Sequence, residues 1–411
     1  IYIYIYKKII TMPSLIFSKN NLFFTFLVIG YLFGVILYDF VEFKFTDELM
    51  ALFLVLFAAM IIWERRKWQE VIPIGIVFFI FSFYTIYSFI IHSNVHQAII
   101  KDLIIQMKPY IGFYCAYLIA PQFSLSQKRF ICILCLIISG LIFIIGITNN
   151  IYLIFGHPSR LATAATATAF LFIYCSAYTW SDVFVFIILL TVGVFSTRSK
   201  FYGFWIVAVF LLLYNKTGGK LRFNWSAIGV AICIFCLAVW LSKDKIILYY
   251  IDGMMNSREM WSRPAMMLTS GHIIYDYFPF GSGLGSFGTF ASGEYYSTIY
   301  ETYGIDELWG ISRNANFFIC DAFYPSLAQF GVVGIVLYFT FWGSILYKGY
   351  HYLSNNNQKQ WIILLFSFLF FFIEGIADTT ITHNRGLFIL IITAITLNEM
   401  KCHYETTSKH L

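Results

Sequence analysis

Apolar runs long enough to cross a bilayer recur along almost the whole chain, and this leaves it little way of folding except as a set of membrane helices. A helix needs roughly 20 apolar residues to span the hydrocarbon core. In lipid it must also satisfy its own backbone polar groups. About twelve such runs lie near 22–38, 48–63, 72–91, 103–120, 130–149, 161–179, 182–196, 201–215, 225–242, 323–347, 360–378 and 386–398. Of the 411 residues, 60% are hydrophobic and 12% are charged, about half the charge of a soluble domain. These numbers exclude a water-soluble enzyme. The net charge of +6 does not point to nucleic acid, because in a membrane protein the side on which cations fall matters more than their sum.

The cations test the map, since they were not used to draw it. Alternating sides collects 15 Lys and Arg on one face and 7 in short loops on the other, with 5 more in one long segment. The cation-rich face is read as cytoplasmic by the positive-inside rule. With an even number of spans, both ends fall on that face. The expected organisation is all-α and polytopic: a cytoplasmic N-terminus over 1–21, helices 1–9 over 22–242, a long periplasmic loop over 243–322, helices 10–12 over 323–398 and a cytoplasmic tail over 399–411. The Ile-Tyr repeat ahead of Met12 is set aside from functional reasoning. The run from Leu22 is too long for a signal sequence and no small-x-small cleavage site closes it, so it reads as an uncleaved first span.

The loop over 243–322 breaks the hydropathy with 5 cations and 9 anions, and a loop of that length usually carries function. Met260–Tyr277, bracketed by Pro264 and Pro279, predicts a short helix along the membrane surface. Cys132-x-x-Cys135 and Cys233-x-x-Cys236 have the spacing of a metal half-site, but each pair lies inside an apolar run with no partner pair nearby, which predicts packing. The string Gly283-Leu-Gly285-Ser-Phe-Gly288 fits G-x-G-x-x-G without the preceding strand a dinucleotide fold requires. Gly281, Gly283 and Gly285 could bring backbone close to a ligand or present N–H groups to an anion; a re-entry turn accounts for them equally.

Six arginines, Arg160, Arg198, Arg258, Arg263, Arg313 and Arg385, fall on the side where short loops normally avoid cations. Arginine binds phosphate through a planar fork and keeps its charge, so this group suits an anionic ligand such as a lipid pyrophosphate. For any one of them the competing assignment is a salt bridge to the loop's acids or snorkelling to headgroups. Arg198, confined to Ser196-Thr-Arg-Ser-Lys200 between two apolar runs, is the hardest to assign that way. His272 and His383 could accept a proton near neutral pH. Asp321 could act as base, orient an arginine or cap a helix. Glu374 and Asp378 close another run, where an ionisable group is a functional candidate unless it is hydrated.

Ser257-Arg258-x-x-Trp261, Phe278-Pro-Phe-Gly281-x-Gly283-x-Gly285-x-Phe287, Asp321-x-x-Tyr324 and Gly331-x-x-Gly334, in this order around one long outer loop, resemble the polymerase/ligase superfamily of bacterial surface polysaccharides. Within it the chain is most similar to O-antigen or capsule repeat-unit polymerases of the Wzy type, over roughly 183–345. The resemblance implies a GT-C-like fold of the inner membrane and a metal-independent glycosyltransferase that needs no cofactor. Its substrate would be an undecaprenyl-pyrophosphate-linked oligosaccharide, joined at the periplasmic face with release of undecaprenyl pyrophosphate. A chain-length regulator, a flippase and membrane lipids are the expected partners. The resemblance places Arg198 and Arg258 on the pyrophosphate; topology adds Arg160, Arg313 and Arg385.

Ligases of the superfamily carry a His-Asn pair nine residues before Gly-x-x-Gly, whereas this chain has Cys320 and Asp321 there. That departure favours a polymerase over a ligase and leaves the base open among Asp321, His272 and His383, in that order. Two readings lie outside this class: a sugar-binding membrane scaffold, which would tolerate loss of Arg198 and Arg258, and a polysaccharide or ion transporter. The transporter predicts internal repeats, and the sequence shows none.

Overall fold

The computed structural model describes residues 19–41, 43, 45–66, 68–218, 243, 247–248 and 261–408. All the regular structure in these is helical. The long helices are α1 Lys19–Ile36, α2 Thr46–Arg65, α3 Trp68–Ile90, α4 His96–Ile119, α5 Leu125–Ile147, α6 Pro158–Cys175, α7 Trp180–Ser196, α8 Ser199–Lys216, α9 Ser262–Asp276, α10 Phe323–His351, α11 Gln358–Glu374 and α12 Asn384–Ser408. Every apolar run expected within the described residues falls on one of them; the run 225–242 lies outside. Six helices, α1, α2, α3, α5, α10 and α12, are long and apolar enough to cross a membrane. Of the others some are short, and α4 is interrupted by Lys101, Asp102 and Lys108. Lys101 and Lys108 were expected in an outer loop. The helix instead begins at His96, so both lie within it, and Lys108 is buried against Asp47 at the start of α2.

Small residues decide which helices are central. Pro158 to Cys175 is rich in Ala and Thr, and nearly all of α6 is buried, because slim side chains let neighbours approach from every side. The hydroxyls of Thr163, Thr166 and Thr168 donate to the carbonyls of Ser159, Ala162 and Ala164, one turn back, so the buried helix carries little unpaired polarity. Helix α12 lies beside it, buried from Leu387 to Leu397 and packed closely on α4 where Gly112 meets Leu387. Gly30-x-x-x-Gly34 of α1 rests on Met50 of α2 in the same way. The periphery is apolar outward, as a lipid-facing surface requires: Phe79 is 75% exposed and Ile90 71%.

Polar contacts between helix ends sort into two groups. At one end Tyr174 and Gln360 reach Glu399, Asn215 joins Tyr178 to Gln358, and Lys359 donates to the Tyr174 and Ser176 carbonyls. At the other, Asp39 binds Arg160 and Arg385, and Lys200 binds Glu374 and Asp378.

Residues 262–330 add a small core of their own, in which Ile273, Phe287, Tyr300, Ile311 and Ile319 pack together. The expected surface helix is α9. Arg258 lies outside the described residues.

Candidate functional site

The end that holds Arg385 gathers charged side chains from five places along the chain. Asp39, just beyond α1, is held between two arginines: Arg160 Nη1 meets Oδ1 and Arg385 Nη2 meets Oδ2, each at 2.6 Å. Arg385 is buried and also donates from Nε to the Val35 carbonyl at 2.8 Å. Beside them Lys200 meets Glu374 Oε2 at 2.6 Å and Asp378 Oδ2 at 3.5 Å. Neither acid is simply hydrated: Glu374 is 1% exposed, and Thr380 donates to Asp378 at 2.8 Å. Burial works against ionisation of Asp378, but Lys200, His383, Thr380 and His157 outweigh it, and its carboxyl sits below the usual range.

Arg198 differs from the other described arginines at this end. Arg160, Arg263, Arg313 and Arg385 each face a carboxylate. Arg198 Nη2 instead meets His157 Nε2 at 2.8 Å, and its buried Nε has no partner among the described residues. A guanidinium can only donate, so Nε2 accepts. The Ser159 N–H approaches His157 Nδ1 at 3.3 Å. With a donor aimed at each ring nitrogen an imidazolium is disfavoured, and burial and Arg198 together push the His157 pKa down to about 4. His157 therefore orients Arg198 without cancelling its charge.

His383 reaches solvent although protein packs around it. Its Nε2 lies 2.8 Å from Thr379 Oγ1. Burial pushes its pKa down and Asp378 only partly restores it, so the imidazole is neutral near pH 7. Asp321 is engaged: Arg263 Nε donates to its Oδ2 at 2.5 Å. Burial raises the Asp321 pKa, with Arg263 pulling against it. Of the three roles open to Asp321, the observed one is orienting an arginine. The pair borders a shallow cleft lined by Met266, Phe318, Pro325 and Ile376.

Geometry corrects one expectation and places two further candidates outside the cluster's contacts. Gly281, Gly283 and Gly285 are buried, and their N–H groups are taken by the Tyr277 carbonyl, the Gln329 carbonyl and Asp102 Oδ2. None is left for an anion. Their positive φ is nevertheless needed: at Gly281, φ +77°, an added Cβ would lie 2.3 Å from the Ala328 carbonyl oxygen. The loop is a staple, its carbonyls accepting from Tyr87 at Gly281, Ser93 at Leu284 and Asn94 at Gly285. Arg313 lies apart, exposed and paired with Glu301 at 2.9 Å. His272 is exposed on α9 and among the described residues has no hydrogen bond or ion pair.

Two members of the cluster, His157 and Asp39, were missed by sequence reading. His157 precedes Pro158 at a helix start, an ordinary capping position, and only its contact with Arg198, 41 residues on, marks it. No protein-family model and no curated protein matches the chain.

Proposed function

We propose that this protein joins lipid-pyrophosphate-linked oligosaccharide repeat units into a bacterial surface polysaccharide, as a Wzy-type glycosyltransferase. In this reading the chain has twelve spans in a GT-C-like arrangement in the inner membrane, with both termini cytoplasmic and the Arg385 end facing the periplasm. The observation that carries the reading is Arg198, a guanidinium set beside Arg160 and Lys200 at one membrane end and left without a carboxylate partner. A fixed cation of this kind stabilises charge as it grows on a pyrophosphate leaving group.

In the reaction an acceptor hydroxyl oxygen bonds to the anomeric carbon of the donor while the bond from that carbon to pyrophosphate breaks. The electron pair leaves with undecaprenyl pyrophosphate, and the hydroxyl loses its proton. Among the three candidate bases His383 fits best: it is neutral, reaches solvent and has Asp378 close enough to stabilise the imidazolium that forms. Asp321 is neutralised by Arg263 and holds it in place. His272 is remote from the cluster's contacts.

The test is the surface-glycan ladder of a deletion strain complemented with wild type or Arg198→Ala at matched membrane expression. Polymerisation through Arg198 predicts long chains with wild type and single-repeat glycan with the variant. Loss of even the single repeat in the deletion strain, with lipid-linked units building up on the inner side, identifies a transporter. Polymer accumulating on carrier lipid identifies a ligase. Normal ladders from Arg198→Ala remove the site.

A further inference from the structure

Beneath the glycine staple lies a buried polar group outside the arginine cluster. Asp102, on α4, is 0% exposed. Its Oδ2 accepts from the Gly285 N–H at 2.8 Å and its Oδ1 from Gln106 Nε2 at 3.4 Å. Among the described residues no cation pairs with it. Its neighbour Lys101 points away to Glu294, and Lys108, further along the helix, is taken by Asp47 and Glu48. A buried carboxylate in this position is unfavourable unless it is paired or coordinates a metal.

Gln329, in the turn leading into α10, is also 0% exposed. Its side chain faces Asp102, as does the Thr289 hydroxyl. The amide nitrogen is the group that can donate to the carboxylate, and among the described residues the amide's carbonyl oxygen has no donor. Two deficits thus meet in one place: a carboxylate without a cation and a buried amide oxygen without a donor. A cation between them answers both. The donors are oxygens, which suit hard cations. A single carboxylate matches one positive charge, which argues against a divalent ion.

We propose that Asp102, Gln329 and Thr289 bind one alkali cation, Na+ or K+, beneath the glycine staple. The ion ties α4 to the turn before α10, and through the Gly285 N–H it fixes the loop that fastens the 262–330 segment to α3 and α4. This site is independent of the polysaccharide reading and stands whichever substrate the protein takes.

The experiment is thermal unfolding of the detergent-purified full chain in NaCl, KCl or choline chloride at constant ionic strength and pH 8. An alkali salt is expected to raise the midpoint by roughly 5 °C at a hundredfold excess over its Kd, whereas choline does not. Asp102→Asn and Gln329→Leu should flatten the response. Equilibrium binding of radioactive Na+, or of Rb+ in place of K+ where KCl gives the larger shift, should approach one ion per chain. Equal midpoints in all three salts, near-zero bound ion, or an undiminished salt response in both variants would overturn the site. If the variants do not fold, the wild-type salt series and the bound-ion count decide.

Discussion

His157→Glu tests whether Arg198 works because its charge is left uncancelled. The imidazole nitrogen lies 2.8 Å from the guanidinium, so a glutamate there places a full negative charge about 4 Å from the positive one. At an effective dielectric near 20 that attraction is about 4 kcal/mol. Water in the cleft reduces this to about 2 kcal/mol, or roughly thirtyfold in the affinity of Arg198 for a competing anion. His157→Gln keeps a neutral acceptor at the same reach and should lose little. The assay is polymer formation in isolated membranes over a range of lipid-linked donor. His157→Glu should raise the apparent KM for donor by at least tenfold, or leave only single repeats on the ladder, while His157→Gln stays near wild type. The reasoning is refuted if His157→Glu polymerises normally in a strain where Arg198→Ala does not. If both variants polymerise normally, the error lies in the proposed site itself.

Asp39→Asn leaves Arg385, buried at 4% side-chain exposure, without its carboxylate, and should cost about 3–5 kcal/mol. Arg160→Ala removes the half-exposed partner of the same acid and should cost about 1 kcal/mol or less; melting of the two purified variants by size-exclusion fluorescence compares them. Gly285→Ala, at φ +70° with the Ala98 backbone 3.1 Å from the new Cβ, should lower the yield of folded protein, whereas Gly203→Ala, with nothing within 4 Å, should not. His157 binds its proton less tightly folded than unfolded, so stability should be level above pH 6.5 and fall as the pH drops toward 4. His157→Gln should remove that part of the slope, about 1 kcal/mol for a half-buried group, in melting curves across this window.

Helices were the legible part of this fold. Each apolar run predicts one because lipid leaves the backbone no other partner, and the alternation of runs grouped Arg160, Arg198 and Arg385, which the fold brings around Asp39 and His157. Partner choice was not legible. Nothing in the neighbourhood of Asp39 announces two arginines 121 and 346 residues away, and only their geometry shows that Arg160 and Arg385 are satisfied while Arg198 is not. The glycine string shows a second limit of sequence reading. Positive φ was readable, but whether the N–H groups face a ligand or the protein depends on α3, α4 and the turn before α10. Lys108 was misplaced because the hydropathy window began α4 late; a lysine whose carboxylate partner sits on α2 can lie inside the helix.

The clamp on Asp39 also sets an order of events during synthesis. Arg160 follows Asp39 by 121 residues and Arg385 by 346. At about 5–20 residues per second, the ribosome delivers the first arginine roughly 6–24 s after the aspartate and the second roughly 17–70 s after it. For most of that interval Asp39 has one of its two partners. The strand of backbone at Val35 that later receives Arg385 is without it for as long. Synthesis of the last helix, Asn384–Ser408, is therefore the step that closes this end of the molecule, and a ribosome stalled before codon 385 leaves a chain that lacks α12 and whose Asp39 has only Arg160 to pair with.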